Sequence, residues 1–228
     1  ADSSADISDI SANGITVSGL PEPSSVSGTV SGTQNADYFI GSIDSDSITA
    51  YAGHDLIKGM EGNDTIDGGL GDDYIEGNTG DDYIKDYYGS NSILAGDGED
   101  EIHIAGASTF IDAGSDTSND RIYYSDLTGD NTIIAGLGND RVERRHISEV
   151  NNRVHDNLIV YLDQQSGESN DDGNDTFNAD DDPHLSLQVY GQGGNDNLWG
   201  SAVNSLLDGG SGDDTITGDF TLPCLTGG

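Results

Sequence analysis

"GMEGNDTIDGGLGDDYIEGNTGDDYIK", Gly59–Lys85, is built from Gly, Asp and Asn with few apolar residues, yet those few keep time. Ile66, Ile75 and Ile84 stand nine apart, and Asp64, Asp73 and Asp82 each precede one of them by two. A segment this poor in apolar residues would be disordered on composition alone. A strict period in such a segment points instead to a stacked repeat.

The period runs well beyond this stretch. Phe39, Ile48, Ile57, Ile66, Ile75, Ile84, Ile93, Ile102 and Ile111 are all nine apart. Two places ahead of them stand Asp37, Asp46, Asp55, Asp64, Asp73, Asp82, Asn91, Asp100 and Thr109. The steps then widen to eleven, with Ile122 after Asp120 and Ile133 after Asn131, and a nine returns at Val142 after Asp140. Late in the chain Leu198, Leu207, Ile216 and Leu225 are again nine apart. Glycine lies two places before the aspartate in nine repeats: those of Asp55, Asp64, Asp73, Asp82, Asp100, Asp140, Asp175, Asp196 and Asp214.

Composition narrows the partners. The chain has 228 residues, 32% of them hydrophobic, with 43 acidic and seven basic side chains and a formal charge of −36. Nucleic acid is excluded as a natural partner, because neutralising phosphates takes Lys and Arg. Multivalent cations suit so many carboxylates. No apolar run is long enough for a membrane-spanning helix. The single Cys224 cannot form an intrachain disulfide. The start, "ADSSADISDI", has no basic region and no apolar stretch, so it is not an intact signal peptide.

The best copies, "GGLGDDYIE" (residues 68–76) and "GGSGDDTIT" (residues 209–217), match G-G-x-G-x-D-x-U-x, where U is a large apolar residue. The chain thus resembles the RTX, or hemolysin-type, calcium-binding nonapeptide repeats of secreted bacterial proteins, over about 27–142 and again over 170–228. The expected fold is all-β: a parallel β-roll or β-helix solenoid of nine-residue repeats. The resemblance implies two repeats per coil, with Ile48, Ile66, Ile84 and Ile102 in one ladder facing Phe39, Ile57, Ile75, Ile93 and Ile111 in the other. Within a repeat, the last three residues suit a short strand with the middle side chain inward. The first six suit a turn in which glycine allows positive φ.

One apolar side chain in nine residues cannot fold such a chain. Ordering a backbone costs roughly 1–2 kcal/mol per residue, and burying one Ile gives about 1.5–3. Stacked turns also stack carboxylates, which repel until a cation lies between them. Ca²⁺, which takes six to eight hard oxygens in flexible geometry, is the expected cofactor, in several copies. With coils of 18 residues the pairs are Asp64 with Asp82, Asp55 with Asp73, Asp82 with Asp100, and Asp196 with Asp214. Asp37 and Asp46 pair with Asp55 and Asp64 through poorer glycine patterns, and Asp140 and Asp175 complete the candidate ligands. The resemblance adds turn carbonyls at Gly62, Gly71, Gly80, Gly98 and Gly212. Asn91 and Thr109 lack the carboxylate, so sites using them should be weak or absent; Ser205 and Pro223 are degenerate in the same way.

The pattern divides the chain into a linker or cap (1–26), a calcium-binding roll (27–142), irregular or degenerate coils (143–178) and a second run of repeats (179–228). Val142 and Val160 are 18 apart, which suggests one larger coil across the irregular stretch. Arg141, Arg144, Arg145, Arg153, His146 and His155 cluster there. One reading makes the arginines counter-charges to stacked carboxylates. The other joins them with Tyr123 and Tyr124 in a cleft for acidic polysaccharide, as in β-helix lyases and epimerases. "DDPHL" at Asp181–Leu185 resembles part of an epimerase motif but lacks its tyrosine. His54 and His103 read as isolated outward-facing residues. G-x-S-x-G and H-E-x-x-H are absent from the sequence.

The reading is therefore a calcium module with a surface, adhesive or structural role and no catalytic residues of its own. The alternative is a polysaccharide-acting β-helix or its accessory module. The resemblance implies type I export to the outside of a bacterium, with calcium, acidic or cell-surface glycan and self-assembly as the partners to test. Leu225 is in phase and "TGG" opens another repeat, so the array is expected to continue past Gly228.

Overall fold

A computed structural model describes residues 9–12, 15–18, 21, 23–145, 156–163, 173–179, 185–200, 205–218 and 224–226. Each repeat contributes one short strand, and successive strands go to opposite sheets. Among the described residues, eleven strands from Ser24–Ser25 to Cys224–Thr226 make the first sheet. Ten strands from Thr29–Ser31 to Thr215–Thr217 make the second. All neighbours in both sheets are parallel. The result is a parallel β-solenoid of about nine turns. Asp9–Ala12 and Ile15–Ser18 form a separate antiparallel pair. No helix among the described residues is long and apolar enough to cross a membrane.

The ladders run in the register the spacing predicts. Ile48, Ile66, Ile84 and Ile102 pair in sequence across the second sheet. Phe39, Ile57, Ile75, Ile93 and Ile111 pair across the first. These side chains form one continuous core, and every isoleucine of the two ladders is 0–1% exposed. The core is only two side chains thick, so each coil depends on its neighbours above and below, as in other solenoids.

Two features depart from the sequence reading. Val142 pairs with Phe177, whereas Val160 pairs with Ile133 in the other sheet. The 18-residue step from Val142 to Val160 is therefore a crossing from sheet to sheet and not a coil. Extra residues lengthen these coils while the inward side chains stay in register, and Phe177 lies fully buried. In addition, the outer face of the first sheet has its own apolar patch. Tyr38, Leu56 and Tyr74, each one place before a ladder residue, stack there as a second buried cluster against Ile40 and Leu94. The Lys58–Glu76 ion pair at 2.6 Å and the bond from Tyr74 Oη to Glu76 Oε1 at 2.9 Å border it.

The turns need glycine for a spatial reason. Gly80 has φ of +128°, and a Cβ there would lie 2.1 Å from the carbonyl oxygen of Gly62 in the coil before. Stacked turns at strand spacing, about 4.8 Å, leave no room for a side chain at that point.

Candidate metal centres along the two edges

The turns from the first sheet to the second carry Asp46, Asp64, Asp82, Asp100, Asp120, Asp140, Asp175, Asp196 and Asp214 on one edge. From Asp46 to Asp196 each backbone N–H of this row donates to Oδ1 of the aspartate in the next coil. Asp64 N–H reaches Asp82 Oδ1 at 2.8 Å, and Asp82 N–H reaches Asp100 Oδ1 at 2.8 Å. Where coils are longer the row continues unbroken: Asp140 N–H donates to Asp175 Oδ1 at 2.7 Å across 35 residues, and Asp175 N–H to Asp196 Oδ1 at 2.9 Å across 21. Asp37, Asp55 and Asp73 form the same row on the opposite edge, with Asp37 N–H on Asp55 Oδ1 and Asp55 N–H on Asp73 Oδ1.

In nine of these carboxylates one oxygen is thus used, and the other is not. Oδ2 of Asp55, Asp64, Asp73, Asp82, Asp100, Asp140, Asp175, Asp196 and Asp214 has no hydrogen-bond partner and is shut off from solvent. Asp37 and Asp46 differ. Their Oδ2 atoms accept the N–H groups of Thr33 and Ser42, both at 2.7 Å, which closes the turn locally.

The orphaned oxygens converge with backbone carbonyls. Asp64 Oδ2 and the carbonyl of Gly77 flank the same point above Cα of Gly59, 2.3 and 2.7 Å from where a Cβ would stand. Asp82 Oδ2 and the carbonyl of Ala95 do so above Gly77, and Asp196 Oδ2 and the carbonyl of Gly209 above Gly191. These carbonyls belong to the first residue of a repeat. Gly62, Gly71, Gly80, Gly98 and Gly212, the fourth residues, all have positive φ. The carbonyls of Gly62, Gly71 and Gly80 abut the glycine of the next stacked turn. Among the described residues, no three Asp, Glu, His or Cys side chains gather as in a compact all-side-chain centre. Each cradle is carboxylate plus carbonyl, a hard-oxygen set of the kind Ca²⁺ takes.

Without a cation these carboxylates are badly placed. Burial pushes Asp55, Asp82, Asp120 and Asp196 up to about 7, opposed in part by the N–H each accepts. The same cause takes Asp100 and Asp140 to about 8 and Asp175 to about 9, with neighbouring carboxylates adding to the rise. A buried charge with no partner is costly, and only a proton or a cation relieves it.

Degenerate turns solve the problem differently. Asn131 Oδ1 accepts Thr109 N–H at 2.9 Å, as an aspartate would. Its Nδ2 donates to the carbonyls of Thr128 and Gly129 at 3.1 and 3.3 Å. Asn91 likewise accepts Asp73 N–H and donates to Tyr88 O. The amide presents a donor to turn carbonyls where an aspartate would leave a bare oxygen. Asp120 is the row member absent from the candidate ligands, with Ser118 standing where the better repeats have glycine. Its only sequence signal is its place two residues ahead of Ile122.

The basic segment divides on the structure. Tyr123 lies on the outer face of the second sheet, with Arg145 Cζ 3.6 Å from its ring centroid. His103 is sandwiched between Tyr83 and Tyr123, centroids 5.2 and 4.9 Å away, and bonds Glu101 Oε1 at 2.6 Å. His103 is therefore packed and only 6% exposed, contrary to the isolated position its phase suggests. Tyr124 faces the core beside Phe177, so it cannot share a cleft with Tyr123. Arg141 pairs with Glu143 and Arg145 stacks on Tyr123, so neither serves as counter-ion to the buried row. His146, Arg153, His155, Asp181–His184 and Pro223 lie outside the described residues.

No curated protein and no solved structure matches the chain. The family model for the RTX calcium-binding nonapeptide repeat (4 copies) matches residues 31–66, 51–84, 76–103, 118–143 and 190–220. These segments cover more than half of the chain and contain most of the turns whose carboxylates lack a partner. With the parallel solenoid and its stacked Asp rows, they show that the chain belongs to the RTX calcium-binding nonapeptide repeat family.

Proposed function

We propose that this chain is a calcium-loaded β-roll that folds on Ca²⁺ outside the bacterial cell and serves there as a surface, adhesive or structural module. The observation that carries this reading is the line of buried carboxylate oxygens without partners, set beside turn carbonyls. Asp55, Asp64, Asp73, Asp82, Asp100, Asp140, Asp175, Asp196 and Asp214 are the ligands assigned to it. When bound, calcium supplies the positive charge these oxygens lack. The chain's own part is to hold each carboxylate through Oδ1 and leave Oδ2 free. Metal-binding free energy then becomes folding free energy. A calcium-poor cytosol would keep the chain unfolded for export, which fits the secretion typical of the family.

Circular dichroism of the full chain tests this. At pH 8 with EDTA the β signal should be lost, and millimolar calcium should restore it. An equal signal in both conditions would sink the metal-driven model.

A further inference from the structure

Asp86 is the one aspartate at the first position of a repeat among the turns flanking Gly59–Lys85, where Gly59, Gly68 and Gly77 hold the same place. It ends the strand Tyr83–Asp86 and is fully buried. Its Oδ1 accepts a long bond of 3.4 Å from Tyr88 N–H, and its Oδ2 has no partner. Asp73, in the coil before, is also fully buried with a free Oδ2. Both free oxygens converge above Cα of Gly68, where a Cβ would lie 2.3 Å from Asp86 Oδ2 and 3.0 Å from Asp73 Oδ2. The motif's own second carboxylate is missing at this turn, because Asn91 replaces it. The other charged neighbour of Asp86 is Asp67, which adds repulsion and is itself held by Lys85.

We propose that Asp73 and Asp86 together hold a Ca²⁺ at this turn, with Asp86 supplying from the first position the carboxylate that Asn91 lacks. The site rests on the calcium-roll reading and extends it to a residue outside the nonapeptide ligand pattern. Two carboxylate oxygens aimed at one point repel unless a cation or a proton lies between them. A hard divalent ion matches both their number and the absence of nitrogen or sulfur donors. The Asn91 turn is then a full site of altered composition, whereas Thr109 and Asn131 have no such replacement.

The test uses the full chain and two variants, Asp86→Gly, which restores the residue of neighbouring turns, and Asp86→Asn, which keeps the shape. Calcium per chain is counted by isothermal titration and by elemental analysis after gel filtration, and melting is followed in EDTA and in calcium. Both variants should bind one calcium fewer, with the midpoint of the remaining sites within about twofold. Both should melt higher than the parent in mildly acidic EDTA-containing buffer that keeps the metal-free chain folded, since a buried carboxyl that can fold only by taking up a proton is gone. A parent that binds calcium and variants that bind as many would overturn this site alone. A parent that binds none would overturn both this site and the calcium roll. An unchanged count with a melting point that moves only with pH would mean that the pair shares a proton, and would also overturn it.

Discussion

At Asp82 the two carboxylate oxygens have separate duties, and they can be tested separately. Oδ1 accepts Asp64 N–H, while Oδ2 is buried and unpartnered beside the carbonyl of Ala95. Asp82→Asn keeps the acceptor and replaces the bare oxygen with a donor. It should weaken calcium binding yet raise stability in EDTA, because a buried charge is removed. Asp82→Ala loses both duties and should be worse in either condition, the orphaned N–H of Asp64 costing about 1–3 kcal/mol. Melting curves of both variants with and without calcium check this; equal curves would refute the division of labour. Asn131 tests the same idea in reverse. Asn131→Ala should cost about 1–3 kcal/mol by stranding Thr109 N–H, with no change in calcium count. A lost calcium would show that Asn131 is itself a ligand. The aspartate phase was legible in the sequence because one spacing repeats. Which oxygen of each carboxylate stays free was not, since that depends on the N–H of a turn 18 to 35 residues away.

A single repeat is a strand and a turn, and the turn is where the sequence is least negotiable. Gly80→Ala would place a methyl 2.1 Å from the carbonyl of Gly62 at a φ of +128°. Strain of this kind costs on the order of 1–3 kcal/mol. Because coils couple to their neighbours, the damage should be local at first. Hydrogen exchange should speed up in the coils around residues 62–98 and stay slow around Leu198 and Leu207; uniform loosening would contradict nearest-neighbour stacking. Strand positions were easier to read than turn contents. The inward residue is fixed by period alone, so Ile48 through Ile111 could be assigned from spacing. The outer-face cluster of Tyr38, Leu56 and Tyr74 could not, because one place before the ladder most repeats carry polar residues. Asp86 escaped for a related reason: its position in the repeat is a glycine position, and only the fold shows its carboxylate turning toward Asp73.

Across the whole molecule, register is kept by the inward ladder and the Asp row together, even where coil length is not. The step from Val142 to Phe177 shows this, and a fixed 18-residue rule cannot foresee it, since these two residues pair as neighbours in the ladder although 35 positions separate Asp140 from Asp175. The same continuity makes the response to pH collective. Burial raises the folded-state values of Asp55, Asp82, Asp120 and Asp196 to about 7, of Asp100 and Asp140 to about 8, and of Asp175 to about 9. An unfolded aspartate titrates near 3.9. Between these limits the metal-free folded chain holds more protons than the unfolded one, so its stability must fall as pH rises. The contribution is fully present below about pH 4 and is lost through about pH 7–9. Calcium reverses the sign, because it binds the deprotonated carboxylates and displaces those protons. In EDTA the β signal should therefore be strongest in mild acid and disappear toward pH 8. In excess calcium it should persist at pH 8 and weaken on acidification, as protons compete for the same oxygens. Titration in lightly buffered solution near pH 7 should show protons released with each calcium taken up. A roll whose stability in EDTA rose from pH 5 to pH 8 would mean that its buried carboxylates are already neutralised by the protein. The free Oδ2 atoms along both edges would then have no need of a metal.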